Sequence, residues 1–422
     1  MYHRLLCLLI LASANVLAQR GCVPFYGYQF LDPAVVISYD SRLAPFYRTF
    51  GKLYGNKLDG EDNRQRTDNV AEWYERYCEQ VEPEDLERLI YGDYVSDLQR
   101  MLVLLRQPKV RAADLPNRLR NNSFAAHLID YRCTEVIEYL LYAKRIEPYV
   151  TRPVDAFSAR ARRETDMKNL IDEGLDQFKT LESHYVRLRY AYQLIRLAHY
   201  LGEYEYVLEL YDYLMPKIAA NPSILDYWIA GHRAGALQAL GNYPEAAYIF
   251  SRVFDRCPSK RRSAYDSFRI RTDEEWIATR NLCANDHERA TLHVLRAQNR
   301  RAVILEEMEK IYALEPDNPA LEPLLMRELL ELEKDLLGLD FNPKERQNKR
   351  LAKRPRDGAA SRLVTLQAFV NKAVNQENTA NPELWLLARG VIEMLAGDYF
   401  YARESFARLS TQRLPDSLEA QV

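Results

Sequence analysis

Residues 228–258 read WIAGHRAGALQALGNYPEAAYIFSRVFDRCP, and two features of this stretch decide the fold. Trp228, Gly231, Ala234 and Leu237 recur at helical intervals, and beyond Gly241 the set Tyr243, Ala246 and Phe250 falls at i, i+3 and i+7. A glycine between two such runs ends the first helix, because it adopts the left-handed conformation without a steric cost, and Asn242 starts the turn into the second. The spacing predicts a hairpin of two amphipathic helices. It returns twice more, in Gly202-Glu203-Tyr204 followed by Val207 and Tyr211, and in Gly397-Asp398-Tyr399 followed by Ala402 and Phe406. Three matches at five positions identify an internal repeat.

The repeat resembles the tetratricopeptide family, whose helix pair carries small residues where the helices cross, a glycine and tyrosine at the turn, and a proline at the end. The copy around Gly241 is the most similar: Ala234, Gly241, Tyr243, Ala246, Phe250 and Pro258 stand at the family's spacing. The copy around Gly202 departs from it, with Ile195 and Val207 in place of small residues, so its helices should lie farther apart. A fourth segment keeps Ile304, Met308 and the ending Leu314-Glu315-Pro316-Asp317-Asn318-Pro319. The resemblance covers about a third of the chain and implies an all-α, right-handed α-solenoid of helix hairpins with degenerate flanking helices, since a single repeat cannot bury its apolar face alone.

Composition agrees with helices. Fifteen glycines against 29 tyrosines is too few turn-formers for a sandwich or barrel. Outside the repeats, apolar residues three and four apart mark helices over 67–106, 121–147, 162–181, 264–280, 286–313 and 320–337. The expected organisation is a signal peptide over 1–18, an extended arm and first helix over 19–66, a helical region over 67–181 and the tetratricopeptide-like solenoid over 182–340. A basic linker over 341–362 then precedes a final hairpin over 363–422. The linker assignment rests on Lys344 to Arg362, where eight basic residues stand against two acidic ones with few apolar side chains, a composition that cannot offset its ordering entropy.

The start of the chain reads as a secretory signal, with His3 and Arg4 before the apolar run Leu5 to Ala14 and the small-residue exit Val16-Leu17-Ala18. No run approaches the ~20 apolar residues of a transmembrane helix. An exported protein, periplasmic or associated with the outer membrane, follows, with lipidation at Cys22 as the rival to a free mature end at Gln19. Of 58 basic residues only Arg4 leaves with the signal, against 60 acidic ones, so the charge balance points to no nucleic-acid partner. Cys22, Cys78, Cys133, Cys257 and Cys283 remain, an odd number that leaves at least one thiol unpaired within the chain. Cys257 and Cys283 either bridge or are small buried residues.

No HExxH, GxSxG, P-loop or glycine-rich dinucleotide motif is present, so no catalytic residue and no cofactor is assigned. Cys257, Cys283, His287 and His293 lack the short ligand spacings of structural zinc sites, and no metal is assigned either. The resemblance implies something more specific. In tetratricopeptide proteins the first helix of each pair lines a concave groove, and the matching positions here are Arg189, Tyr192, Arg196, His199 and Tyr200, then Trp228, Gly231, Gly235 and Gln238. A basic and aromatic lining suits an acidic peptide or a sugar, because arginine holds a carboxylate with two parallel hydrogen bonds and rings add rigid contact area. The same spacing also suits side chains packed between helices. In the last copy Leu384, Leu387, Val391, Met394 and Leu395 take these places, a stripe that should be covered.

The expected function is a non-catalytic scaffold for a protein or peptide partner. The repeat style, the tyrosine content and the start ending in Leu-Ala-Gln look like exported envelope proteins of Bacteroidetes-type bacteria. The alternative is a glycan-binding protein similar to the SusD-like family, suggested by Cys22 ahead of Phe30-Leu31-Asp32-Pro33.

Overall fold

The computed structural model describes residues 31, 43, 64–77, 80–151, 157–219, 221–298, 302–337 and 357–410. The signal sequence, Cys22, Cys78, most of the arm and residues 338–356, which include most of the basic linker, lie outside the described residues. What is described is helical, with no strand among the described residues. The chain divides into two compact units, Tyr39–Arg296 and a smaller one of Met1–Ser38 with Ala297–Val422.

The larger unit holds thirteen described helices: α1 (Arg64–Tyr77), α2 (Pro83–Tyr91), α3 (Val95–Leu105), α4 (Ser123–Asp130), α5 (Thr134–Thr151), α6 (Phe157–Thr180), α7 (His184–Leu201), α8 (Tyr204–Leu214), α9 (Ile224–Ala239), α10 (Tyr243–Arg256), α11 (Arg261–Ser267), α12 (Asp273–Asn281) and α13 (Asp286–Ala297). From α5 to α11 consecutive helices pack as neighbours, α12 packs back on α10, and α7 also packs directly on α5 and α9. This is compatible with a helical-repeat solenoid.

The glycine signature is a helix-ending motif. Gly202, Gly241 and Gly397 have φ of 86°, 88° and 84°. In each copy the residue after the glycine donates its backbone N–H to a carbonyl five residues back, Glu203 to Ala198, Asn242 to Leu237 and Asp398 to Glu393. These bonds satisfy carbonyls that the ending helix would leave unpaired. The next helix starts on the tyrosine, at Tyr204, Tyr243 and Tyr399. In the middle copy Ala234 and Ala246 are fully buried and Phe250 nearly so. Ala246→Leu should therefore cost about 1–3 kcal/mol by overpacking, read as a lowered denaturation midpoint; an unchanged midpoint would mean that this face has slack.

The smaller unit contains α14 (Ile304–Leu314), α15 (Leu321–Leu337), α16 (Ala359–Gln376), α17 (Pro382–Ala396) and α18 (Tyr399–Ser410). Helix α14 stops at Leu314, where the Glu-Pro-Asp-Asn-Pro ending begins. Tyr312 meets Phe369 edge-on at 5.5 Å and Trp385 at 6.4 Å, joining α14, α16 and α17. Of the apolar stripe expected to be covered, Leu384, Leu387 and Val391 are buried, whereas Met394 and Leu395 are only half-buried. Ala402 is buried too, but Tyr399 is 71% exposed, so the repeat tyrosine packs poorly in this copy. The segment read as a linker to residue 362 is already helical from Ala359, and Arg362 holds Glu328 and Asp335, each at 2.8 Å. Those two acids give the last basic residue of the run a place in the fold.

Candidate ligand pocket

The face that α7 shares with α9 is the place where the groove was expected, and α1 lies against part of it. Trp73 of α1 is fully buried among Phe124, Tyr139 and Tyr185, with ring centroids 5.8, 6.2 and 5.1 Å away. The guanidinium of Arg189 sits 3.9 Å from the Trp73 ring centroid. It donates to Asn69 Oδ1 at 2.9 Å and Tyr185 Oη at 2.7 Å, and it pairs with Glu72 at 3.3 Å. Glu72 in turn accepts from Ser223 Oγ at 2.9 Å and the Ile224 N–H at 2.8 Å, which places a carboxylate at the start of α9, where the helix dipole favours it.

The groove residues therefore divide. Arg189 was expected to face a partner; it is 1% exposed, and the acid it holds belongs to its own chain. Tyr192 and Trp228 are buried against each other with centroids 5.4 Å apart. Gln238 donates to the Ser267 carbonyl at 3.0 Å and serves the contact of α9 with the end of α11. His199 packs over Gly235, where a Cβ would come within 2.6 Å of the imidazole, and Tyr200 is 53% exposed.

Arg196 differs from Arg189 although it lies two turns along the same helix. It is half-buried, forms no hydrogen bond or ion pair among the described residues, and rests 5.7 Å from the Tyr192 ring and 5.8 Å from the Tyr200 ring. Beside it is a cavity of 430 Å³ lined by residues of α1, α2, α5, α7 and α9, among them Gln65, Tyr91, Tyr139, Gln193, Arg196 and Trp228. Arg189 and Tyr192 also line it, so four of the nine expected groove residues converge here.

Lys260, in the short turn after α10, was not singled out by the sequence. Its ammonium donates to Gln65 Oε1 at 3.0 Å and stands 5.2 Å from the Trp228 ring centroid. Burial, reinforced by Arg196, pushes its pKa down to about 8. His232 of α9 is held well below the ordinary imidazole range by burial and then by His199, Lys260 and Arg196; burial lowers His199 as well. The two imidazoles are 5.0 Å apart. Both are therefore neutral near pH 7.

No known protein family, curated protein or solved structure matches this chain. The site has to be read from its own chemistry.

Among the described residues no three His, Cys, Asp or Glu side chains are grouped to hold a metal ion. The four residues weighed for zinc have other neighbours: His287 meets Asp255 at 3.2 Å, His293 stacks edge-on against Trp276, Cys283 points its thiol at the Thr279 carbonyl, and Cys257 lies beside Ser259. Cys133, Cys257 and Cys283 are free thiols, and the last two are buried. No described helix is long and apolar enough to cross a membrane.

Proposed function

We propose that this chain is an exported, non-catalytic helical-repeat scaffold, a right-handed solenoid of tetratricopeptide-like hairpins, that binds an acidic protein or peptide partner on the face between α7 and α9. The observation that carries this reading is Arg196, a guanidinium flanked by two tyrosine rings with no acid in reach among the described residues. An unpaired, partly desolvated arginine between aromatics is the pattern of a binding anchor. The position of α1 supports the same reading, because this face already receives a helix of the chain through one carboxylate and one tryptophan.

The test is recovery of envelope proteins by the mature chain and by Arg196→Glu. Charge reversal at a site without an ion pair should change stability by no more than about 1 kcal/mol, while loss of an anchor costs about 2 kcal/mol or more of affinity and removes the captured species. Salt should weaken the wild-type complex in the same direction. Equal recovery by both proteins would refute the assignment of the partner face.

The glycan-binding alternative has its own observation. Tyr399, Phe400 and Tyr401 are 71%, 69% and 58% exposed at the start of α18, whereas the rings around Arg196 are mostly turned onto one another. An oligosaccharide array bound by the wild type and not by Tyr399→Ala with Tyr401→Ala would favour it.

A further inference from the structure

The charges around the cavity do not balance. Arg66, Lys144 and Arg189 all line it, and each has a carboxylate of its own: Glu87 at 2.5 Å, Glu147 at 3.3 Å and Glu72 at 3.3 Å. Among the described residues Arg196 has none, and Lys260 has only the neutral amide of Gln65. These two cations come from different elements, α7 and the turn after α10: Arg196 lines the cavity and stands over Tyr192, while Lys260 lies behind the lining residues Gln65 and Trp228, bonded to the first and over the ring of the second, and the Tyr192 and Trp228 rings meet each other. A second polar group is incomplete in the same wall. Gln193, 7% exposed, donates to Tyr139 Oη at 3.3 Å while its amide oxygen has no partner among the described residues; as an acceptor it would meet an O–H or N–H of a ligand, not its oxyanion.

We infer that the cavity is a binding site for a small, ring-bearing anion, its carboxylate or phosphate seated between Arg196 and Lys260 and its ring lying toward Tyr192 and Trp228. A volume of 430 Å³ lies within the range of small-molecule sites, roughly 300–1,000 Å³. The anion completes the charge balance, and its ring finds an aromatic wall. Ligand binding here is a property of the cavity and does not require the protein partner proposed above.

The proton balance gives the site a signature. The groups that face Lys260 are Arg196 from α7, His232 from α9 and the Cys257 thiol before the turn, with the uncharged Gln65 from α1; His199 from α7 faces His232. Lys260 must be protonated to hold an oxyanion. Affinity is thus full below a pH of about 8 and falls as pH rises through it. A bound anion favours the charged ammonium, so binding near that pH takes up a proton.

The experiment is calorimetric titration of the full mature chain with phenyl phosphate and benzoate, with inorganic phosphate, acetate and benzylamine as controls, in buffers of different ionisation enthalpy. One of the two aromatic anions should bind with one-to-one stoichiometry, more tightly than its ring-free counterpart, and which of them binds identifies phosphate or carboxylate. Arg196→Gln and Lys260→Gln should each weaken it by roughly ten-fold or more, the loss of one charge-assisted hydrogen bond. The fall with rising pH should persist in Arg196→Gln but move to higher pH, because Arg196 helps to depress the Lys260 ammonium, and it should vanish in Lys260→Gln. No binding by either aromatic anion at millimolar concentration, or binding undiminished in both variants, would overturn the inference. Phenyl phosphate bound by a chain that captures no protein would uphold the cavity site and sink the scaffold reading; protein captured through Arg196 with no anion bound would do the reverse.

Discussion

Replacing Arg189 with alanine is expected to lower the melting temperature on the order of 10 °C, whereas Arg196→Ala, on the same helix, should leave it nearly unchanged. The two side chains differ in what they hold. Arg189 is 1% exposed and is the common partner of Asn69, Glu72 and Tyr185, with Trp73 against its face. Its removal leaves the Glu72 carboxylate, among the described residues, with Ser223 and the Ile224 N–H, and its side chain is 12% exposed. Breaking a buried pair by deleting one partner costs about 3–5 kcal/mol, most of it the stranded charge. The double variant Arg189→Ala with Glu72→Gln separates the contributions. If the stranded charge dominates, the second change restores part of the lost stability. A single variant that melts within a degree or two of wild type would mean that α1 is not clamped by this pair. Arg189 could then still serve a partner, as its sequence position suggested.

This contrast shows what was legible in the sequence. The hairpins were, because the glycine, the tyrosine and the small residue act locally. A left-handed residue and two backbone bonds end the helix wherever they occur, and the three copies adopt matching φ values at Gly202, Gly241 and Gly397. The face of α7 was legible too, since helical spacing alone places Arg189, Tyr192 and Arg196 on one side. Which of those arginines meets solvent was not. That is decided by α1, whose Asn69 and Glu72 lie 120 and 117 residues before Arg189 in the chain. No periodicity within α7 records such a neighbour. Lys260 escaped notice for the same reason: in the sequence it is one more basic residue after a helix-ending proline, and only the approach of Gln65 and Trp228 gives it a role. Gln238 matched the groove spacing but lies at the end of α9, within reach of the Ser267 carbonyl, so it bonds there.

Trp73→Ala should be the most damaging single change in the larger unit, and Trp73→Phe far milder. The indole is fully buried, and Tyr77 stacks on it at 6.0 Å in addition to the three rings and the guanidinium that surround it. Truncation to alanine removes apolar contact from several elements at once and leaves a void, at about 3–5 kcal/mol. The indole Nε1, however, has no hydrogen-bond partner among the described residues. A buried unpaired N–H costs about 1–3 kcal/mol, so phenylalanine removes that penalty while keeping most of the ring contact. Loss of the anchor should also loosen α1 itself. Trypsin should then cut Trp73→Ala early at Arg64, Arg66 or Arg76, and phenyl phosphate should no longer bind, because Gln65 and Asn69 of α1 form part of the cavity wall. Equal loss of stability in both variants would show that the ring's width, not its burial, holds the helix. A Trp73→Ala chain as stable and as resistant to trypsin as wild type would show that α1 stays in place without its tryptophan, and that the pocket owes its closure to Arg189 and Glu72 alone.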